Sequence, residues 1–289
     1  MGSSVPSDSA SRSHLVHVII SEFCREFASS LEERKAHVKT GRYIKEIFTE
    51  TRSKLSQLDP FSYTNFSDDY IREGIQDCEG NHLSFPMPPV EVLETLLRDP
   101  VKRPMQALLG PARECALSVH NELVRLVDTL LEKDHVARFP GLVQQIKDAM
   151  VEGVLNKGLV VALAQVELLI NMEESYVYTD DPAFHAQMQR LFVDTDSGGG
   201  VQPGHMRALL QAYFQTAQQS IQNSVPKAVM LCMVKSAQKE LTTTLFQSIA
   251  LGSAQDLLDE PPEVADKREA LRNQVKNLAS ARQALASIR

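Results

Sequence analysis

Apolar residues recur along this chain at steps of three and four. From Val16 onward Ile19, Ile20, Phe23, Phe27 and Leu31 fall on one helical face, which predicts a first helix. The pattern weakens over 37–41 and resumes with Ile44, Ile47, Phe48 and Leu55 before Asp59-Pro60 stops it. Gly41 lowers helix propensity at that join and predicts a kink or break. An irregular stretch from Pro60 to Pro89 holds at most one short helix, Asp68 to Asp77, then Gly80 and the run Phe85-Pro86-Met87-Pro88-Pro89. A loop of this length within a bundle usually carries a function.

A helix restarts near Val90, punctuated by Pro100, Pro104 and Pro111, and an amphipathic run follows from Cys115 to Leu131. Pro140 suits the first turn of a third long helix. From Leu142 to Met172 apolar residues are so frequent that burial on more than one side is expected. After Asp180-Asp181-Pro182 and a Gly-rich linker ending at Gly204, the stripe Leu210, Phe214, Ala217, Ile221, Val225 continues to about Leu251, with a bend expected at Pro226. A last helix, Glu263 to Arg289, carries the near-heptad seam Leu271, Val275, Leu278 and Leu285, with Arg282 at the remaining seam position. That seam has no partner within its own length, so it must dock elsewhere.

Composition narrows the class. Of 289 residues 43% are hydrophobic but only 6% aromatic, with no Trp, which suits helix packing and an all-α fold. Helices of about 30 residues at ~1.5 Å rise per residue imply an elongated object. A net charge of -7 argues against nucleic acid as a partner. Cys24, Cys78, Cys115 and Cys232 are scattered, as expected for reduced thiols rather than a zinc site or disulfide framework. The stretch Leu159 to Ile170, interrupted by Gln165 and Glu167, reads as too short to cross a bilayer, so no membrane insertion is expected. Met1-Gly2-Ser3-Ser4 opens like a myristoylation signal but meets Pro6 at the sixth position. The Ser-rich residues 1–13 read as a disordered leader or expression remnant.

Catalytic motifs are missing from the sequence. There is no phosphate-binding Gly-x-x-x-x-Gly-Lys-Ser/Thr loop, no Gly-x-Ser-x-Gly elbow and no His-Glu-x-x-His helix. Asp194-x-Asp196-x-Gly198-Gly199 opens like a calcium loop, but its twelfth position is His205 rather than a bidentate Glu. His14 and His17 share a face only if helical order reaches them, and two ligands are too few for a metal. Glu173, Glu174, Asp180 and Asp181 cluster beside Tyr176 and Tyr178; acid–base catalysis there would need a concave pocket with shifted acidities, and solvated helix ends are the plainer reading. No catalytic residue, cofactor or metal is therefore expected in this chain. A helical adaptor that binds partner helices in an apolar groove without polymerising is the alternative from another class.

The segment Ile221-Gln222-Asn223-Ser224-Val225-Pro226-Lys227-Ala228-Val229-Met230 resembles the start of the GTPase-effector region in dynamin-related proteins of the mitochondrial and peroxisomal fission kind. Asp256-Leu257-Leu258 followed by the terminal helix to Ile288-Arg289 is similar to that region's end. Upstream, Gly41 with Ile47-Phe48-Thr49-Glu50-Thr51, Pro111 through Glu122, Arg138-Phe139-Pro140 and Val166 through Phe184 resemble the family's middle domain in order and spacing. The resemblance spans Leu15 to Arg289.

It implies an elongated antiparallel four-helix stalk with an extra C-terminal helix, which dimerises, builds higher oligomers and couples GTP hydrolysis in a separate GTPase domain to constriction of an organelle membrane. The implied segments are 14–187 for the middle-domain helices, 188–204 for a linker in place of the membrane-facing insert, 205–259 for the effector stalk helix and 260–289 for a bundle-signalling helix. GTP and Mg would belong to the parent protein's GTPase domain. Implied partners are the chain itself, that GTPase domain and membrane adaptor receptors, with the parent cytoplasmic and recruited peripherally to a mitochondrion or similar organelle. Gly74, Ile75, Gln76, Asp77 and Gly80 would lie in or beside the assembly loop, Gly41 would set the stalk's break, and Leu271, Val275, Leu278 and Leu285 would form the docking seam. Where the family's assembly loop often carries Gly-Pro-Arg-Pro, this chain has Gly80-Asn81-His82-Leu83.

Overall fold

The computed structural model describes residues 6, 8–32, 39–79, 89–193, 201–250 and 257–286, and every regular element among them is helical. In chain order these are α1 (Ser9–Glu32), α2 (Thr40–Ser56), α3 (Asp68–Glu79), α4 (Pro89–Leu97), a 3-10 turn (Pro104–Leu108) leading into α5 (Leu109–Leu131), and the short α6 (Asp134–Ala137). Next come α7 (Pro140–Met150), a π-helical segment (Val151–Leu155), α8 (Asn156–Ser175) and α9 (Pro182–Val193). The C-terminal part of the chain holds α10 (Pro203–Val229), a second π-helical segment (Met230–Lys235), α11 (Ser236–Ala250) and α12 (Pro262–Ala286).

Two elements begin or end away from their expected places. Helix α1 starts at Ser9, inside the segment that composition assigns to a leader. Asp8 explains the start, because its Oδ2 accepts the Ser11 N–H at 2.8 Å and caps the first turn. Helical order therefore runs through His14 and His17, and the His17 ring stacks on Phe246 at 4.8 Å. Helix α9 reaches Val193, into the segment 188–204 read as linker.

The chain divides into two compact units, one of residues 1–41, 121–157 and 235–289, the other of residues 42–120 and 158–234. In the first, α11 packs against α1 and α7. Val16, Ile19, Ile20, Phe23 and Phe27 of α1 are buried, as are Leu142, Ile146 and Met150 of α7 and Ala237, Leu241 and Leu245 of α11. Each large side chain so buried contributes about 1.5–3 kcal/mol. In the second unit α10 packs against α3, α4 and α9, over a core of Leu55, Phe61, Phe66, Ile71, Leu97, Leu108, Tyr213 and Phe214. Gly158 of α8 lets the backbone of the second π segment approach: a Cβ there would stand 3.1 Å from the Cys232 carbonyl oxygen.

Pro226 lies inside the last turn of α10 and donates no hydrogen bond; four residues later the helix widens into the π segment Met230–Lys235. Two expectations about the third long helix need correction. Residues Pro140–Ser175 form one 36-residue helical run with a mean hydropathy of 1.6 over its most apolar window, long and apolar enough by length and composition to cross a membrane. The polar positions Gln165 and Glu167 do not shorten it, because helical hydrogen bonds pass through isolated polar residues. Nor is it buried on more than one side: only 28% of that window is buried, at one-face spacing.

Candidate assembly surfaces

Three places stand out, two of which gather residues that the sequence singles out. The first is the corner around α3. Arg207 of α10, with its side chain only 5% exposed, donates from Nη1 to the Phe61 carbonyl at 2.8 Å and from Nη2 to Asp68 Oδ1 at 2.6 Å. Its guanidinium also lies 4.0 Å from the Tyr63 ring centroid. Asp68 stands in the first turn of α3, where the helix dipole favours a carboxylate, so this arginine fixes where α3 begins. Tyr70 donates its hydroxyl to Asp99, which pushes the phenol up to about 12. Burial raises the Asp99 carboxyl, but that bond and the N–H groups of Lys102 and Val101 outweigh it and hold it low.

Along α3 the assembly candidates separate by direction. Gly74 faces α4, where an added Cβ would come 2.9 Å from Leu96 Cδ2, and Ile75 is buried beside it. Gln76 and Asp77 are exposed. Gly80 lies outside the described residues. Gly41 sits in the first turn of α2, and a Cβ there would meet the Leu31 carbonyl oxygen at 2.7 Å, so the end of α1 requires a glycine at this point.

The second place is the outer face of α8. Gly158, Ala162, Val166 and Ile170 repeat every four residues and are buried. On the opposite side Val160, Val161, Leu168 and Met172 are each more than half exposed, with Ala164 also exposed between them. Ion pairs onto α8 give the local register: Arg113 of α5 pairs with Glu167, and Arg103, just before the 3-10 turn that leads into α5, donates to Glu174 at 2.8 and 3.1 Å. The two helices run antiparallel here, so exposed Leu117, one turn beyond Arg113, is level with Leu163 and Ala164. This apolar face is absent from the sequence-derived candidates. Its signal was present as the excess of apolar residues around the whole circumference of 142–172, more than one core face can use.

The third place is α12. Its root is held by the Glu260 carboxylate, 6% exposed, which takes Arg268 at 2.8 Å and Arg138 at 3.8 Å; burial lowers the Arg138 guanidinium from its ordinary value. Leu257 and Leu258 are buried just before it. From Glu269 to Arg282 every residue is exposed, including Leu271, Val275 and Leu278, the last at 70%. The Leu285 side chain lies outside the described residues.

The acidic cluster is divided among structural tasks. Burial raises the Glu173 carboxyl, while the Arg103 fork lowers that of Glu174. Asp181 Oδ1 accepts the Ala183 N–H at 2.8 Å and caps α9. Among the described residues no three His, Cys, Asp or Glu side chains gather as metal ligands. The calcium-like Asp194 and Asp196 lie outside the described residues.

A family model of the dynamin central region matches residues 1–191, and one of the dynamin GTPase effector domain matches residues 201–288. Dynamin-related protein 3B of Arabidopsis thaliana is 32% identical over 57% of this chain and 21% of its own length. Dynamin-1-like protein of Danio rerio is 25% identical over 94% of this chain and 51% of its own length. Dynamin-related protein DNM1 of Saccharomyces cerevisiae is 27% identical over 60% of this chain and 23% of its own length. The chain spans about half or less of the length of these relatives. With one family region following the other along an all-helical fold, this chain belongs to the dynamin family, comprising its central region and its GTPase effector domain.

Proposed function

We propose that this chain is the self-assembly stalk of a dynamin-type membrane-remodelling GTPase. In this reading the long helices form an antiparallel four-helix stalk, two copies associate through the outer face of α8, and larger oligomers grow from that dimer. The exposed seam of α12 docks beside a GTPase domain, so that GTP hydrolysis there, with Mg, drives constriction of a membrane. A mitochondrial or similar organelle membrane is favoured by the resemblance of Ile221 to Met230 to the fission branch, with the parent protein cytoplasmic and recruited peripherally by adaptor receptors.

The observation that carries the reading is the apolar face Val160, Val161, Ala164, Leu168 and Met172, which the chain leaves uncovered on a helix whose other face is fully packed. A face of this kind is self-complementary across a two-fold axis, the usual symmetry of a homodimer. Light scattering after size exclusion across protein concentration tests it, comparing the wild type with Val161→Asp/Leu168→Asp. The wild type is expected to form dimers and larger species, and the variant to remain monomeric with an unchanged melting curve. A wild type that stays monomeric at every concentration would reject the stalk reading in favour of the non-polymerising adaptor.

A further inference from the structure

The six tyrosines of this chain differ in what surrounds them. Tyr213 is buried, and its hydroxyl oxygen accepts the Tyr178 N–H at 3.1 Å. Tyr70 donates its hydroxyl to Asp99, Tyr63 is covered on one face by Arg207, and Tyr43 lies within α2. Tyr176 and Tyr178 are unlike these. They follow the end of α8, 69% and 68% exposed, with their rings stacked at 6.2 Å; the Tyr176 N–H closes the last turn by donating to the Met172 carbonyl at 3.2 Å, and the chain is non-helical from there to Asp181. Neither hydroxyl has a hydrogen-bond partner among the described residues.

We infer that Tyr176 and Tyr178 form an acid-directed tyrosine phosphorylation site that opposes association through the outer face of α8. The regulatory half of this inference rests on the assembly reading above. A kinase must draw the phenol to the γ-phosphate deep in its cleft, which the non-helical backbone from Tyr176 to Asp181 permits and a helix such as α2 around Tyr43 does not. The Tyr178 N–H to Tyr213 bond anchors the segment while both phenols face outward. Glu173 and Glu174 lie three and two residues before Tyr176, and Asp180 and Asp181 two and three after Tyr178, which fits a kinase whose substrate groove is basic.

In the transfer the phenolic oxygen attacks the γ-phosphorus of ATP-Mg, the bond to the β-phosphate oxygen breaks, ADP leaves and the phenolic proton passes to a carboxylate of the kinase. Each phosphate adds about -1.5 to -2 charge at pH 7. Tyr176 follows Met172, the last residue of the exposed apolar face, by four positions. Of the guanidinium groups nearby, Arg103 is already engaged by Glu174 through two hydrogen bonds, and Arg98 lies within electrostatic reach of the Tyr213 hydroxyl below the segment. The added charge therefore stands beside carboxylates at the end of an apolar face, where it repels a second copy and resists desolvation.

The test incubates the full chain with an acid-directed tyrosine kinase and ATP-Mg, locates phosphate by peptide mass and repeats the light scattering. The wild type should take up phosphate at Tyr176 and Tyr178, the single Tyr176→Phe and Tyr178→Phe variants at the remaining position only, and the double variant at neither. Phosphorylation should weaken association at least tenfold in the wild type and leave the double variant's association unchanged. Incorporation at Tyr43 or Tyr63 with none at Tyr176 or Tyr178 overturns the site. Full incorporation with unaltered association overturns the regulation. A wild type already monomeric before kinase is added removes the assembly reading and this regulatory half together, and incorporation alone then decides the modification.

Discussion

Helices α10 and α12 are of nearly equal length and both belong to the effector region, yet they meet opposite surroundings. Thirteen residues of α10 are buried, at Met206, Leu209, Leu210, Tyr213, Phe214, Ala217, Ile221 and Val225 among others, a stripe two residues wide on most turns. Its buried polar members reach partners: Gln218 donates to the Leu55 carbonyl and Arg207 donates from Nη1 and Nη2 to Phe61 and Asp68. Helix α12 offers one apolar residue per turn at Leu271, Val275 and Leu278, and none of its side chains from 262 to 282 is buried. The width of the stripe separates a helix that builds a core from one whose described seam residues stay exposed.

The contrast is broken most forcefully at Arg207. Arg207→Ala leaves a buried carbonyl and Asp68 without their donor and should cost on the order of 3 kcal/mol, read as a lower urea midpoint with an unchanged slope. On α12 the double change Leu271→Ser/Leu278→Ser should alter the stability of this chain by no more than about 0.5 kcal/mol, since those side chains are already in water. A loss comparable to that of Arg207→Ala would mean that the seam is packed within the chain after all.

The smallest expected effect concerns Glu173, whose carboxyl is raised by burial against a weaker opposing bond to Ser220 of α10. A carboxyl raised in the folded state supports folding fully below its unfolded value, and that support is lost as pH rises through the folded one. Glu173→Gln should therefore raise the melting temperature at pH 7, with the gain shrinking toward about pH 4. An equal gain at both pH values would show that ionisation of Glu173 is not the cause.

Periodicity alone located the buried stripe of α1 and the line of Leu271, Val275 and Leu278 along α12, which is exposed, because both follow from side-chain direction on a helix. It misjudged α8, since a count of apolar residues shows how much face needs cover but not whether the same chain supplies it. Asp8 was lost within a Ser-rich run, where composition hides a single capping residue. Gly74 and Ile75 read, like Gln76 and Asp77, as residues in or beside an assembly loop; only the position of Leu96, brought in by α4, distinguishes the packed pair from the exposed one. Arg207 lies ahead of the stripe read from Leu210 to Val225, and periodicity gives no sign of its role, because its partners lie 139 and 146 residues earlier in sequence.

The two compact units do not follow the family's own division of the chain. Each draws on residues before 191 and after 201, so each core is inherited from both regions at once. An effector domain transplanted from a relative would thus replace part of two cores, and Phe61 and Asp68 would meet whatever residue it brings to position 207. Recombination within this family should succeed when the central region and the effector domain travel as one allele, and fail when the crossover falls between them.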